Sequence, residues 1–345
     1  MAVSIKDIAE RAGVSPSTVS RALNDHPRIS RRTRERIRRL AKEMGYSPSA
    51  IARSLVAKRT FTIGLVISFI SDPFLAQVVR GVEEAAIDNG YSVFLCSSYG
   101  DPTREMAVVE TFRERRADGI IVTTSRVDSL YAPLLDKFKI PIVLINCREY
   151  AYSVSTDNLH GGQLATEHLL ELGHTRIGYI SSEEGGRTNL DRLEGYKMAL
   201  RRYGIAFDQS LVSAGDGKVE GGKEGMKRLL ALPCPPTAVF CYNDMTAIGA
   251  AAALREAGLR VPEDMSLVGF DDIDLAPYLN PPLTTVRQPR YELGRSAMEM
   301  LLALLAGEAV TNVLLQGELI VRESSRPPSY LRWMDSDKGG DKGDK

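Results

Sequence analysis

The chain has 345 residues, a length that exceeds one ordinary hydrophobic core and indicates two or three domains. Its composition, 43% hydrophobic and 26% charged, is that of a globular protein, but its zero formal net charge hides an asymmetry. Residues 1–60 contain 14 Lys and Arg against 5 Asp and Glu, a net charge of +9, whereas residues 61–345 carry −9. A basic N-terminal module on an acidic body is typical of nucleic-acid binders, although solvated charged faces alone can produce such an excess.

The distribution of apolar residues argues against secretion and against a membrane anchor. No apolar stretch of a signal peptide follows Met1, and no uninterrupted run of 18 or more apolar residues occurs. The four cysteines form no Cys-x-x-Cys pair, and the four histidines show no metal-binding spacing. We therefore expect a cytoplasmic protein with reduced cysteines, no membrane partner, no metal and no cofactor.

The first amphipathic stretch predicts two short helices separated by a glycine. Apolar residues recur at helical spacing over residues 5–12, Gly13 ends that run, and Ser15 followed by Pro16 marks a new helix start. Such a pair forms either a helix-turn-helix, whose second helix enters the DNA major groove, or an ordinary helical hairpin. A third helix, which Ser30 caps, would complete a small core.

The segment 49–56 is a further short amphipathic stretch. Isolated helices shorter than about 12–15 residues are unstable in water, so we expect this segment to be helical only when it packs against a partner. Its Leu55 can act as an apolar wedge between DNA base steps, or the segment can be a plain linker.

Residues between 5 and 56 also form a recognisable pattern. It comprises Ile8-Ala9, Ala12-Gly13-Val14-Ser15, Thr18-Val19-Ser20-Arg21, Leu23-Asn24, Thr33-Arg34, Ile37, Gly45-Tyr46, Pro48 and Ala52-Arg53-Ser54-Leu55. On these residues the segment resembles the lac repressor (LacI/GalR) family of bacterial transcriptional regulators. The resemblance implies that Pro16, Ser17 and Arg21 occupy the base-reading positions of a recognition helix. Arg21 is the only long side chain among these three and can pair with both acceptors of a guanine edge.

The same resemblance implies phosphate-binding and hinge positions. The phosphate-binding positions are Ser15, Thr18, Ser20, Asn24, Arg28, Ser30 and Thr33. Leu55 takes the position of the family's wedge in a hinge helix, with Ile51 and Ala52 at the contact between two hinge helices. The resemblance therefore favours the wedge over the plain linker.

From residue 61 onward, short apolar runs alternate with amphipathic helical stretches. We predict strands over Thr62–Ser68, Ser92–Ser97, Gly119–Thr124, Ile142–Asn146, Ile177–Ser181, Ala238–Tyr242 and Leu267–Phe270. We predict helices over 74–89, 103–116, 159–172, 190–203, 220–231, 244–256 and 290–306. Apolar strands separated by helices indicate parallel sheets covered on both faces, and the number of strands favours two doubly wound lobes over one sheet.

Polar residues follow several predicted strands, which is where ligands bind in doubly wound sheets. Asn146 ends the fourth predicted strand, and Asn243 and Asp271 stand first after two later strands. We interpret Asn243 and Asp271 as cleft residues and the neighbouring Asp244 and Asp272 as helix N-caps. Capping is the alternative for all of them, because Asn and Asp suit that role in general.

Further motifs extend the resemblance to about residue 330. They are Val154, Thr156-Asp157-Asn158, Gly161-Gly162, Leu172-Gly173-His174, Ile177, Arg192, Gly195-Tyr196, Asn243-Asp244, Val268-Gly269-Phe270-Asp271-Asp272 and Pro282–Gln288. The resemblance implies the two-lobed fold of periplasmic sugar-binding proteins, with three crossovers and an effector held between the lobes. Matching effector-binding positions are Phe74, Asn146, Arg192, Asn243, Asp271 and Gln288. Gly217 stands where the family often has a stacking aromatic ring, which argues against a flat ligand.

These patterns predict an N-terminal all-α helix-turn-helix domain joined to an α/β two-lobed, periplasmic-binding-protein-like (type I) effector domain. The expected divisions are 1–48 for DNA binding, 49–60 for the hinge, 61–330 for the effector domain and 331–345 for a disordered tail. Within the effector domain, the N-lobe covers about 61–157 plus 288–318, and the C-lobe about 158–287 plus 319–330.

The predicted function is a repressor that binds a palindromic double-stranded operator as a homodimer and responds to a small-molecule effector, a sugar or sugar derivative. The chain lacks a C-terminal heptad pattern, which favours a dimer over a tetramer. Two alternatives are the same regulator controlled by a partner protein, and a solute-binding protein, which residues 5–56 disfavour. The sequence contains no phosphate-binding loop or nucleophile elbow, so we do not expect an enzyme.

Overall fold

The computed structural model of the chain describes residues 3–46, 59–123 and 140–328. The chain divides into two compact units, Met1–Thr60 and Phe61–Lys345, which are taken separately below. The predicted hinge segment with Ala52 and Leu55, and the predicted tail 331–345, lie outside the described residues. No helix among the described residues is long and apolar enough to cross a membrane.

Three helices build the N-terminal unit. They are α1 (Ile5–Ala12), α2 (Pro16–Leu23) and α3 (Arg31–Glu43). Each helix begins after a serine, Ser4, Ser15 or Ser30, whose side-chain oxygen accepts a backbone N–H of the first turn. Gly13 ends α1 in the left-handed region at φ 63°, which favours glycine. The buried faces meet in a core of Ile8, Ala9, Ala12, Val19, Ala22, Ile37 and Ala41. The predicted helix-turn-helix is confirmed.

The body contains two six-stranded sheets. Its strands are β1 (Thr62–Ile67), β2 (Ser92–Ser97), β3 (Gly119–Thr123), β4 (Ile142–Ile145), β5 (Ser153–Thr156), β6 (Ile177–Ile180), β7 (Val212–Ser213), β8 (Ala238–Cys241), β9 (Ser266–Asp271), β10 (Thr284–Arg287), β11 (Val313–Leu315) and β12 (Glu318–Ile320). The spatial orders are β11-β5-β4-β3-β1-β2 and β12-β10-β9-β8-β6-β7. Neighbouring strands run parallel in both sheets, except that β12 is antiparallel to β10.

Helices cover both faces of each sheet. They are α4 (Pro73–Asp88), α5 (Pro102–Glu114), α6 (Asn158–Glu171), α7 (Gly186–Arg202), α8 (Val219–Leu230), α9 (Asp244–Glu256) and α10 (Arg290–Ala306). In the first lobe, α4 and α10 pack on one face of the sheet through residues such as Val78 and Leu293, and α5 packs on the other through Phe112. In the second lobe, α6 and α7 cover one face and α8 and α9 the other. The prediction of two doubly wound lobes is confirmed.

The chain passes between the lobes three times: after β5, after β10, and between β11 and β12. The seven predicted strands and seven predicted helices of the body are present, with bounds that shift by four residues or fewer. Five strands of two to four residues were not predicted from the sequence: β5, β7, β10, β11 and β12. Such short segments carry little periodic signal and become strands only by pairing with neighbours distant in the chain.

Candidate functional site

Helix α2 places a row of polar side chains on the surface of the N-terminal unit. Val19 and Ala22 are fully buried and fix the inner face of the helix. The ten predicted DNA contacts in the described part of the chain are exposed or half-buried: Ser15, Pro16, Ser17, Thr18, Ser20, Arg21, Asn24, Arg28, Ser30 and Thr33. The Ser15 hydroxyl lies 2.8 Å from Ser17 Oγ and 2.9 Å from Thr18 Oγ1. A hydroxyl cluster at a helix N-terminus suits a DNA phosphate, because free backbone N–H groups point the same way.

The arginines of this unit fall into two groups. Arg34 and Arg38 form ion pairs with Asp25, and Arg36 Nη2 donates to the Ala12 carbonyl oxygen at 2.6 Å. These side chains hold the three helices together. Within residues 3–46, by contrast, the guanidinium of Arg21 has no hydrogen-bond or ion-pair partner. Arg21 is therefore available to a partner outside the chain.

A cavity of about 270 Å³ lies between the two lobes of the body. Its walls are formed at the carboxyl ends of β1, β3 and β4 in the first lobe and of β6, β8, β9 and β10 in the second. All six predicted effector-binding residues line it: Phe74, Asn146, Arg192, Asn243, Asp271 and Gln288. The volume falls near the lower end of the range typical of small-molecule sites, about 300–1,000 Å³.

Arg192 is the buried cation of this cavity, with only 3% of its surface exposed. Its Nε donates to Asn158 Oδ1 at 2.9 Å, and its Nη1 donates to the Tyr242 carbonyl oxygen at 2.5 Å. Its Nη2 lies 3.8 Å from Asp271 Oδ1. The guanidinium carbon lies 3.7 Å from the ring centroid of Phe270 and 4.6 Å from that of Tyr242. These contacts hold the guanidinium in one orientation at the cavity wall.

Asp271 is the buried carboxylate opposite Arg192. Its backbone has a φ of 120°, a region that L-residues rarely adopt, and its Oδ1 accepts a hydrogen bond from Gln288 Nε2 at 2.6 Å. Burial raises the pKa of Asp271 to about 7, against the lowering effect of Arg192, and the charge of Asp72 raises it further. Gln288 Oε1 is buried without a hydrogen-bond partner among the described residues.

The two asparagines combine a structural and a site role. Asn146 adopts the left-handed conformation at φ 63°, and its Oδ1 accepts from the backbone N–H of Thr156 at 3.2 Å. Asn243 caps α9 by accepting from the Thr246 N–H at 2.9 Å, and its Nδ2 donates to the Gly217 carbonyl oxygen at 2.9 Å. Capping a helix and lining the cleft were alternative roles for Asn243 in the sequence. In the structure Asn243 has both roles, because it caps α9 and lines the cavity.

The interpretation of Asp244 and Asp272 as helix N-caps was wrong. Asn243 occupies the cap position of α9, so Asp244 lies inside the first turn and is fully buried. Its carboxylate accepts from the Ile273 N–H at 2.8 Å and from Thr285 Oγ1 at 2.6 Å, which ties together the ends of β9 and β10. Asp272 instead pairs with two arginines, Arg287 and Arg322.

Aromatic rings line the cavity at positions that the sequence analysis missed. Phe69 and Tyr242 both face it, two residues after β1 and one residue after β8. At Gly217, which has φ 77°, a Cβ would lie 3.2 Å from Ser182 Oγ and 3.3 Å from Tyr242 Cε1. Tyr242 therefore lies beside the place where the family's ring was expected, and the expectation that the ligand is not flat stays a prediction. The strand-end rule could have identified Tyr242, had β8 been ended one residue earlier.

A helix-turn-helix unit followed by a two-lobed body with a polar cavity between its lobes defines a ligand-responsive DNA-binding regulator. Comparison with known proteins supports both parts. The bacterial regulatory proteins of the lacI family match residues 4–49, and the periplasmic binding protein-like domain matches residues 166–325. The chain belongs to the lacI family of bacterial regulators.

Relatives of the chain cover nearly its whole length. The HTH-type transcriptional repressor CytR of Escherichia coli (strain K12) is 39% identical over 332 residues, which are 94% of this chain and 97% of the relative. A crystal structure of the Lac repressor dimer bound to operator and the anti-inducer ONPF has a TM-score of 0.87 at 29% identity and covers 94% of this chain and 100% of that one. A LacI family regulator from Enterococcus faecium with bound ribose has a TM-score of 0.69 at 31% identity, covering 77% of this chain and 99% of that one.

Proposed function

We propose that this protein is a transcriptional repressor that binds a palindromic operator as a homodimer and that a small molecule in the inter-lobe cavity controls its DNA affinity. One observation carries the proposal: a lacI-family helix-turn-helix and a cavity lined by all six expected effector-binding residues occur in the same chain. CytR and the Lac repressor are repressors rather than enzymes, which supports a regulatory role in the cytoplasm.

On the DNA side, we assign residues 1–48 to operator binding and 49–60 to a hinge. Arg21 reads a base edge from the front of α2, together with Pro16 and Ser17. The phosphate contacts are Ser15, Thr18, Ser20, Asn24, Arg28, Ser30 and Thr33. In the hinge, Ala52 contacts the hinge of the second subunit, and Leu55 inserts at the operator centre.

On the effector side, we assign residues 61–330 to ligand binding and dimerisation, with the lobe boundaries given above. Arg192 donates to the ligand, Asp271 accepts from it, and Asn146, Asn243 and Gln288 supply further polar contacts, while Phe74 packs against it. Hydroxyl groups satisfy such a set, because each can accept from a guanidinium and donate to a carboxylate. A sugar or sugar derivative therefore fits this site.

The two sites are coupled through the spacing of the lobes. A ligand that bridges residues from both lobes stabilises one lobe arrangement, and it shifts the equilibrium only by its differential affinity for the two arrangements. Across a dimer, that arrangement decides whether the two hinge segments can pair on DNA. A partner protein acting on the same lobes is the second candidate controller.

The proposal is tested by measuring operator binding of the full chain with and without a panel of sugars and nucleosides. We expect at least one compound to change operator affinity in the wild type and to have no effect on Arg192→Ala. The control is Arg201→Ala, an exposed arginine on the same helix, which should respond like the wild type. A full response in Arg192→Ala would place the effector elsewhere, and a response to no compound would favour a partner protein.

A further inference from the structure

Among the described residues, the charged side chains that line the inter-lobe cavity are predominantly negative. Its wall includes the cations Arg192 and Lys218 and the carboxylates of Asp72, Glu105, Asp216 and Asp271. Two of these carboxylates come from opposite lobes, since Asp72 precedes α4 in the first lobe and Asp271 ends β9 in the second.

The one buried cation is already engaged by the protein. Arg192 donates to Asn158 and to the Tyr242 carbonyl oxygen, and its remaining terminal nitrogen faces Asp271 at 3.8 Å. The ring centroids of Phe270 and Tyr242 lie 3.7 Å and 4.6 Å from its guanidinium carbon, so both rings pack against the guanidinium. Arg192 can therefore offer a ligand only the N–H groups at its edge, and the carboxylate of Asp271 balances its charge.

The second cation lies at the surface. Lys218 is exposed, and its Nζ lies 4.9 Å from the ring centroid of Phe69. Because Lys218 belongs to the second lobe and Phe69 to the first, this contact spans the cavity. The neighbouring Asp216 Oδ1 accepts the Lys218 backbone N–H at 2.9 Å, which places a carboxylate beside the backbone of this residue. An exposed ammonium is strongly hydrated and contributes little to holding an anion deep in the cavity.

We propose that this cavity selects an uncharged, hydroxyl-rich ligand and rejects anionic ones such as phosphorylated sugars, nucleotides and sugar acids. This inference rests on the proposed function, since it specifies the effector of the same site. Above its pKa of about 7, Asp271 is an ionised carboxylate that only accepts hydrogen bonds, so the ligand has to bring donors. A hydroxyl brings one, whereas a phosphate dianion brings none. A phosphate beside Asp72 and Asp271 would be held in a low-dielectric site among like charges, and the part of the wall that the structure describes offers it no uncompensated buried cation.

The geometry of the two carboxylates also indicates how such a ligand would act. Asp72 Oδ1 accepts the Phe74 N–H at 3.0 Å as the cap of α4, which fixes that carboxylate at the first-lobe wall. Asp271 is fixed at the opposite wall by Gln288. A neutral polyol that donates to both carboxylates would bridge the lobes directly, and its donors would relieve the repulsion between the two acids.

The first test uses matched pairs of compounds on the full chain: ribose and ribose 5-phosphate, glucose and glucose 6-phosphate, adenosine and adenosine monophosphate. Isothermal calorimetry at pH 8, where Asp271 is ionised, and at constant ionic strength gives the two affinities of each pair. We expect the neutral member of a binding pair to bind at least ~100-fold more tightly than its phosphate ester, because like charges across a buried contact are strongly unfavourable. Equal or tighter binding of a phosphate ester would overturn the inference.

The second test needs no identified effector, because its probe is inorganic phosphate. We expect millimolar phosphate, compared with chloride at equal ionic strength, to leave the thermal midpoint of the wild-type chain unchanged and to raise that of the double variant Asp72→Asn/Asp271→Asn. Asparagine still caps a helix and still accepts from Gln288, so the variant removes charge at little cost to the fold. The charge-matched control Glu308→Gln/Glu323→Gln changes two exposed acids outside the cavity and should behave like the wild type.

Phosphate stabilisation of the wild type that disappears in Arg192→Lys, or no gain in the double variant, would contradict the inference. If no compound of any pair binds while the double variant gains phosphate affinity, the charge selection stands and the proposed sugar effector fails. The two results therefore separate the inference from the function on which it rests.

Discussion

Arg21 and Arg192 show at the residue scale how surroundings assign different tasks to the same side chain. Arg21 stands exposed on α2, and no acceptor among residues 3–46 holds its guanidinium. Arg192 is buried between two rings and three acceptors, so its position is set before any ligand arrives. The first arrangement suits a side chain that pairs with DNA bases, and the second suits a preorganised ligand donor.

Replacing Arg21 should affect DNA selectivity more than DNA binding as such. We expect Arg21→Ala to lose about 1–3 kcal/mol of discrimination between operator and scrambled DNA, while a salt-dependent nonspecific affinity remains. Fluorescence anisotropy with both DNAs at two salt concentrations measures this. The control Arg39→Ala, exposed on α3, should change both affinities alike. Unchanged selectivity in Arg21→Ala would exclude a base-reading role.

The raised pKa of Asp271 predicts a specific pH dependence of stability. Because this pKa is about 7 in the folded protein and near 3.8 in the unfolded chain, the native state binds the extra proton between these values. As pH rises from 5 through 7, the wild type should lose stability relative to Asp271→Asn, by at most ~1.4 kcal/mol per pH unit, and the difference should level off above pH 7.

Urea unfolding of both chains at pH 5, 6, 7 and 8 measures that difference. Burial also raises the pKa of Asp72 and lowers the pKa values of His168 and His174. His168 and His174 are present in both chains and cancel in the comparison, whereas the charge of Asp72 acts on Asp271 and is part of the measured difference. A stability difference that is constant with pH would show that Asp271 is ionised throughout.

At the scale of elements, glycines set the distance between α6 and α7. A Cβ on Gly162 would lie 2.4 Å from the Arg192 carbonyl oxygen, and one on Gly195 would lie 2.2 Å from the Leu159 carbonyl oxygen. Only glycine, which has no side chain, lets the two helix backbones lie this close together. Their short separation brings Arg192 Nε within hydrogen-bond distance of Asn158 at the start of α6. Helix packing thus positions the buried cation of the cavity.

A methyl group at this contact should lower both the stability of the body and its affinity for the effector. Alanine favours a helix over glycine by about 0.5–1 kcal/mol, but we expect Gly162→Ala to destabilise the body by about 1–3 kcal/mol net, since the two helices must separate. Displacement of Arg192 should also weaken effector binding. Thermal unfolding and calorimetry test this, and a variant as stable as the wild type would mean that the helices separate without cost.

At the scale of the whole molecule, the size of α2 limits what one chain can recognise. A single recognition helix contacts only a few base pairs, so sequence-specific regulators of this kind read two half-sites with two-fold symmetry. Among the eight residues of α2, Arg21 is the one with a side chain long enough to pair with both acceptors of a base edge. Specificity therefore depends on two copies of the chain and on the spacing of their half-sites.

The operator should accordingly bind two chains and require both half-sites. We expect gel-shift titration to give two chains per palindromic operator, and an operator with one half-site scrambled to bind at least ~100-fold more weakly, as losing several base contacts implies. Insertion of half a helical turn between the half-sites should have a similar effect. Equal affinity for the single half-site would contradict recognition by a dimer.

Local signals in the sequence determined much of the architecture. Ser15 with Pro16 and Ser30 marked helix starts, Gly13 marked a helix end, and continuous apolar runs marked the central strands. These signals depend on residues a few positions apart, so they can be read without the fold. The family resemblance then singled out six residues that the structure brings together around one cavity.

Only the tertiary structure decided which neighbouring side chains face that cavity. Asp244 and Asp271 are similar in sequence context, but pairing of β9 with β10 buries the first in a structural network and turns the second towards Arg192. The position of the Tyr242 ring at the cavity and the excess of negative charge among the described wall residues likewise became visible only in the tertiary structure. Burial and charge are set by residues far apart in the chain, and these contacts exist only once both lobes are folded.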